Sequence, residues 1–309
     1  MFGLLKRSAA AKGRIGIVLD DERAAVAVVN RDSSGAVLTR CESVPFGAGR
    51  DAAAALQALE LPAMPLSGVL RSQDYQLALV EAPDVPPAEL RAAMRWRLRD
   101  NIDFRVEDAV IDVFDIPPQS RGSQGRMMYA VAARRTAVDR QGAALGAWGK
   151  FDVVDVPELC LRNLVSQLPA AASGVAMLHL GQTTASVVLV RGATFYFARQ
   201  MNLQTAMSGS ADPAPGGRLN SESVLLELQR SLDYYERHFD QPPITRVVIA
   251  PMGARAESLA ADLGQESSFE VTVLDLNTAL QCAQPLAPEV QADCLLAVGA
   301  ALRVEHRTL

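Results

Sequence analysis

Two stretches of the chain, 161 residues apart, carry the same succession of apolar runs and turns, and no other feature limits the possible folds so tightly. In the first, Ile15-Gly16-Ile17-Val18-Leu19 is apolar and Asp20-Asp21-Glu22-Arg23 reads as a turn. Ala24 to Val29 is apolar again, and Asp32-Ser33-Ser34-Gly35 turns the chain into a third run, Ala36 to Val44. The second stretch opens with Ala176-Met177-Leu178-His179-Leu180 and turns at Gly181-Gln182-Thr183-Thr184. It continues from Ala185 to Val190, turns at Arg191-Gly192 and returns from Ala193 to Arg199. Superposition places Leu19 on Leu180, Ala24 on Ala185, Val26 on Val187 and Val29 on Val190. Two readings fit: an internal duplication with a β-meander opening each half, or two ordinary hairpins. Duplication predicts two lobes whose turns at 20–23 and 181–184 face each other across a cleft.

Between and after these stretches the pattern alternates. Asp51 to Leu59 suggests a short helix and Tyr75 to Glu81 a strand. Pro86-Pro87 opens a helix on which Leu90, Met94, Leu98 and Ile102 recur on one face, with Arg91, Arg95 and Arg99 opposite. Ala109 to Ile116 and Arg126 to Ala133 read as paired strands. Thr136 to Trp148 reads as a helix, Phe151 to Val156 as a strand and Pro157 to Leu168 as a helix. In the second half, Leu225, Leu228, Leu232, Tyr235 and Phe239 keep helical spacing. Strand Arg246 to Ala250, helix Arg255 to Leu263, strand Phe269 to Leu274 and a helix over Glu289 to Arg303 follow. The total is α/β.

The chain has 309 residues, enough for about two lobes. Its net charge is −5, with 21 basic and 21 acidic side chains in residues 1–170 but 9 and 14 in residues 171–309. A strong nucleic-acid footprint is therefore absent. Cys41, Cys160, Cys282 and Cys294 form no CxxC pair, which fits small core hydrophobes in a reducing compartment rather than zinc ligands or disulfides. No apolar run approaches the length of a membrane span, and Met1-Phe2-Gly3-Leu4-Leu5-Lys6-Arg7 is too short for a secretory signal. A cytoplasmic location is expected.

Candidate chemistry is sparse. Gly181-Gln182-Thr183-Thr184 has the composition of a phosphate-cradling turn, because backbone N–H groups and hydroxyls can both donate, though a plain hairpin turn fits equally. His179, His238 and His306 lack ligand spacing, and no metal site is expected; His179, inside an apolar strand, reads as a packed residue. No GxSxG, HExxH, Walker or GxGxxG pattern occurs. The arginine face around Trp96 suits either RNA or acidic lipid, or a solvated face paired with Asp100, Asp103, Glu107 and Asp108.

Several stretches together resemble the PilM family of actin-like type IV pilus assembly proteins, and within it the MshI branch of mannose-sensitive haemagglutinin (MSHA) pilus systems. They are Arg95-Trp96-Arg97, Asn101-Ile102-Asp103-Phe104, Val106 to Asp112, Phe114-Asp115-Ile116-Pro117-Pro118, Val131 to Arg135, Asp155-Val156-Pro157-Glu158-Leu159 and Leu226 to Arg237. The resemblance implies an actin-like, ribonuclease H-like duplicated two-lobed fold with an inserted α+β subdomain. The first half would span 1–170, the insertion about 71–150 and the second half 171–309. It also implies a cytoplasmic scaffold, held at the inner membrane by the cytoplasmic tail of a single-span PilN-like partner, with a pilus ATPase as a further partner. The tail would lie in a groove between the first half and the insertion, with Arg95 and Arg99 at its rim.

Against that family's nucleotide pattern the chain departs at decisive positions. Val18 and His179 stand where acids that organise Mg²⁺ are expected, Asp20 replaces a glycine, and Ala250-Pro251-Met252-Gly253-Ala254 keeps one glycine of a glycine-rich loop. Asp20, Asp21 and Glu22 bring negative charge to a phosphate position; like charges about 4 Å apart repel by roughly 1–4 kcal/mol, depending on the dielectric. No cofactor is expected, except ATP held weakly through Gly181, Gln182, Thr183, Thr184 and Gly253, and no hydrolysis. The alternatives are an active actin-like ATPase or sugar-kinase-like enzyme, and an actin-like cell-division or filament protein.

Overall fold

The computed structural model describes residues 13–33, 35–46, 52–120, 125–146, 150–181, 184–202 and 220–304. Strands β1 (Gly13–Leu19), β2 (Arg23–Asp32) and β3 (Gly35–Pro45) form the first meander, followed by α1 (Ala52–Gln57) and β4 (Pro65–Val69). An inserted unit comprises β5 (Tyr75–Glu81), α2 (Leu90–Leu98), β6 (Ala109–Asp115) and β7 (Met127–Arg134). The chain returns through α3 (Arg135–Leu145), β8 (Lys150–Asp155) and α4 (Pro157–Val165). The second half holds β9 (Val175–Leu180), β10 (Thr184–Arg191), β11 (Thr194–Asn202), α5 (Ser221–His238), β12 (Arg246–Ile249), α6 (Ala254–Glu266) and β13 (Glu270–Val273). It ends with α7 (Leu276–Ala279), β14 (Gln281–Cys282) and α8 (Pro288–Ala301).

The first sheet runs β14-β3-β2-β1-β4-β8 and the second β11-β10-β9-β12-β13, so both share the order 3-2-1-4-5. The likeness extends to register. Leu19 pairs with Ala24 and Leu180 with Ala185. The ladder slips between Val28 and Val29 in one half and between Leu189 and Val190 in the other, again 161 residues apart. A bulge at the same point of both meanders is what a duplicated unit retains and two unrelated hairpins would not share.

Each half lends a helix to the other. α4, from the first half, packs on β9, β10 and β11, while α8 lies against β1 to β4. α8 is apolar nearly all round, as a helix buried on every side must be: Cys294, Leu295, Ala297, Val298, Ala300 and Ala301 are buried. Two glycines permit this seam. A Cβ on Gly16 would stand 2.0 Å from the Ala297 carbonyl oxygen, and one on Gly299 would stand 2.4 Å from that of Cys160. The opposite face of the first sheet is covered through Leu56 of α1 and Leu145 of α3.

The inserted strands form a separate sheet, β5-β7-β6. Leu90, Met94 and Leu98 are buried on its Ala109–Ile111–Val113 and Met128–Ala130–Ala132 face, each contributing about 1.5–3 kcal/mol. The helix ends at Leu98, yet Ile102 packs in the same cluster. The range 71–150 also contains α3, whose Gln141 donates to the Val69 carbonyl (2.7 Å) and whose Leu145 packs beneath the first sheet.

Candidate nucleotide cleft and lobe junction

The two turns sit at the C-terminal ends of the central strands β1 and β9, where open α/β sheets place ligand sites. They close alike: the Asp20 N–H donates to the Arg23 carbonyl (3.1 Å), and the Gly181 N–H donates to the Thr184 carbonyl (2.8 Å). Their side chains then diverge. The Asp20 carboxylate bends back and accepts the N–H groups of Glu22 (2.7 Å) and Arg23 (2.6 Å) through Oδ1. Those are the donors that an anion at this turn would need. At the second turn Gly181 carries no side chain, and the Thr184 hydroxyl oxygen lies 3.8 Å from where its Cβ would be. Gln182 and Thr183 lie outside the described residues.

Of the three acids expected to repel phosphate at the first turn, Asp21 has an arginine partner. Arg71 binds Asp21 (2.7 Å) and Asp74 (3.1 Å), and Arg140 approaches Asp74 at 3.9 Å. Arg23 pairs with Asp293 of α8. The Glu22 and Arg23 N–H groups of this turn are thus already bonded to a carboxylate of the chain itself. Arg71 escaped the sequence reading because its partner Asp21 is 50 residues away.

Val18 and His179 occupy corresponding strand positions. Val18 packs with Val69, Cys160, Leu296 and Ala300. His179 pairs across the ladder with Ser186, and burial lowers its pKa to about 4, so it is neutral at pH 7. Gly253 precedes α6 at the end of β12, and the Ala250 N–H donates to the Leu178 carbonyl (2.8 Å). Gly181, Thr184 and Gly253 therefore belong to neighbouring strand ends of the second sheet, whereas Asp20 belongs to the first. Among the described residues no group of three or more His, Cys, Asp or Glu can hold a metal.

On α2, Arg95 spends its donors on the carbonyls of Val106 (3.3 Å) and Ala109 (3.5 Å), while Arg99 is exposed. The anticipated acidic partners of this face are not those found. Arg91 pairs with Asp112 and Arg97 approaches Glu81 at 3.9 Å, whereas Asp103 is bound by Arg134 and Glu107 by Arg105. Trp96 is 75 % exposed.

A buried hub joins three parts of the molecule. Glu158 of α4, 1 % exposed, accepts the Tyr75 hydroxyl (2.6 Å) and the Gln200 amide (2.5 Å). Burial raises the pKa of the Glu158 carboxyl and of the Tyr75 phenol. Asp155, also buried, pairs with Arg303 (2.8 Å). The Asp155-to-Leu159 stretch stood out in sequence, but its partners Tyr75 and Gln200 gave no local signal.

No family model matches the chain, and no curated protein matches it significantly. Solved structures do. A PilM–PilN type IV pilus biogenesis complex aligns with a TM-score of 0.66 at 19 % identity, over 95 % of this chain and 98 % of the other. A Bacteroides thetaiotaomicron protein with an actin-like ATPase fold and unknown function aligns at 0.51 and 9 % identity, over 95 % and 99 %. With the repeated 3-2-1-4-5 sheets, these likenesses define the class: an actin-like fold of two ribonuclease H-like halves, elaborated by an inserted α+β subdomain. Among the described residues no helix is long and apolar enough to cross a membrane.

Proposed function

We propose that this chain is a non-catalytic cytoplasmic scaffold of a type IV pilus assembly machine, of the MSHA type. It binds the cytoplasmic tail of a PilN-like inner-membrane protein and is held at that membrane through it. A pilus ATPase is a second partner. The observation that carries this reading is the likeness, along 95 % of the chain, to the PilM–PilN type IV pilus biogenesis complex. In this reading an extended tail lies between the first half and the inserted subdomain, where backbone hydrogen bonds to a strand edge and side-chain anchors would hold it. Arg99 is the exposed rim cation; Arg95 is tied to carbonyls.

The absence of catalysis is argued from the cleft. Val18 has no ligating atom, His179 offers a ring nitrogen where Mg²⁺ takes oxygen, and Asp20 occupies the donors of the first turn. Weak ATP binding at Gly181, Thr183, Thr184 and Gly253 is the most this site supports. The test is co-purification with the membrane partner, with and without the partner's N-terminal cytoplasmic tail. Loss of the complex on tail deletion is expected; an intact complex sinks the tail-in-groove reading. ATP turnover above a mock-purified control, abolished by Thr183→Ala with Thr184→Ala, would favour the enzyme alternative.

A further inference from the structure

The exchanged helices α4 and α8 join the two halves, and β14 adds a strand from the second half beside β3. The inserted subdomain adds a second set of attachments on different elements. The Tyr129 hydroxyl accepts the Ala198 N–H (3.0 Å) and donates to the Ala198 carbonyl (3.3 Å). It does for β11, an edge strand, what a neighbouring strand would do. Around it Phe114, Tyr129 and Phe195 form a three-ring cluster with centroids 5.3–5.4 Å apart.

Two further points follow, one on α5 and one again on β11. Beyond β6, the Gln119 amide donates to the Tyr234 hydroxyl (2.7 Å), and the Ser120 N–H donates to the His238 carbonyl (2.8 Å), both on α5. At the start of β5, Tyr75 accepts the Gln200 amide (3.1 Å) beside Glu158. Phe197, Tyr234 and His238 stack in a column, at 4.5 and 4.0 Å, that stiffens the α5 side of this contact.

We propose that the inserted subdomain is a latch: Tyr129, Gln119 and Ser120 fasten its sheet to β11 and α5 and so hold the two halves in one relative orientation. A change in that orientation would have to break these points together, since they sit on two elements of the second half, β11 and α5. The latch stands whether or not a partner tail binds.

A latch predicts coupling between attachment points that do not touch. Amide hydrogen exchange on the full chain reads it, comparing the unaltered protein with Tyr129→Phe and with Gln119→Ala. Tyr129→Phe removes the acceptor of the Ala198 N–H, so that amide exchanges about fivefold faster, the worth of one net hydrogen bond of about 1 kcal/mol. The latch requires the Ser120 amide to speed up as well, and Gln119→Ala to speed exchange at Ala198 in return. Amides of β1 and β2 keep their protection in both variants. Faster exchange confined to Ala198 in the first variant and to Ser120 in the second means independent local contacts and overturns the proposal. If either variant loses protection in β1 and β2, the milder Ser120→Ala, which retains the backbone bond, is compared instead. Coupled loss at Ala198 and Ser120 supports the latch, and unchanged exchange at Ala198 overturns it.

Discussion

In the first half Asp20 folds back onto its own turn; in the second, Gly181, which has no side chain, holds the corresponding place and its N–H donates to the Thr184 carbonyl. Register, bulge and closing hydrogen bond are otherwise repeated. The difference teaches that a duplicated backbone can carry two unlike sites, because the frame is set by strand pairing and the site by the few side chains at its tip. Beside the first turn, Arg71 is shared by the carboxylates of Asp21 and Asp74; the second half has Met252 and Gly253 after its matching strand.

The seams separate the halves most sharply. Gly16 lies under α8, whereas its counterpart Met177 carries a full side chain. Gly16→Ala is expected to cost about 3 kcal/mol or more, because its new Cβ meets backbone atoms. Urea unfolding monitored by circular dichroism measures it, and a loss under 1 kcal/mol would mean that the helix can withdraw.

The strand positions preceding the turns offer a second contrast. His179 has a folded pKa of about 4, below its unfolded value near 6.5. Between these values the unfolded state binds more protons, so stability falls as pH drops from about 6.5 to 4. His179→Val, which copies Val18, should flatten that acid limb by about 1–3 kcal/mol. Parallel limbs in melts at pH 4 and pH 7 would show that His179 titrates freely.

Making the first turn resemble a working phosphate turn sharpens the comparison from the other side. Asp20→Gly together with Val18→Asp frees the N–H groups of Glu22 and Arg23 and restores an acid. ATP–Mg²⁺ affinity by calorimetry should rise about tenfold, about 1.4 kcal/mol, within the worth of one hydrogen bond to a charged group. An unchanged affinity would implicate Pro251, which lacks an N–H donor. The smallest effect belongs to Arg23, whose counterpart is Thr184. Arg23→Thr loses one partly exposed ion pair with Asp293 and should shift stability by no more than about 1 kcal/mol.

Much of the fold was legible because the meanders alternate or run apolar and the helices keep period. Tyr75–Glu81 has the bounds read from sequence, and Leu90, Met94 and Leu98 announce one helical face. β4 was not legible. Its Pro65-Leu66-Ser67-Gly68-Val69 looks like a loop, yet Ser67 is fully buried and accepts from Arg14 (2.8 Å), and Gly68 makes room for the Gln141 side chain. Tertiary partners, not local preference, make that strand. The same limit applies at the cleft: Asp20 was visible as an acid in a turn, but its bend onto the Glu22 and Arg23 N–H groups is a conformation, not a pattern. The twofold arrangement of arginine around Asp21 and Asp74 is likewise assembled from distant residues.

The exchange of α4 and α8 has a consequence in time. As the chain leaves the ribosome, β1 to β3 are made first, but the helix that covers one face of their sheet begins only at Pro288. At roughly 5–20 residues per second the nascent sheet waits about 10–50 s for its cover. During that interval Ala25, Ala27 and Val29 have no α8 to bury them. A chain cut just before Pro288 therefore leaves a sheet made near residue 13 without one of its two covers.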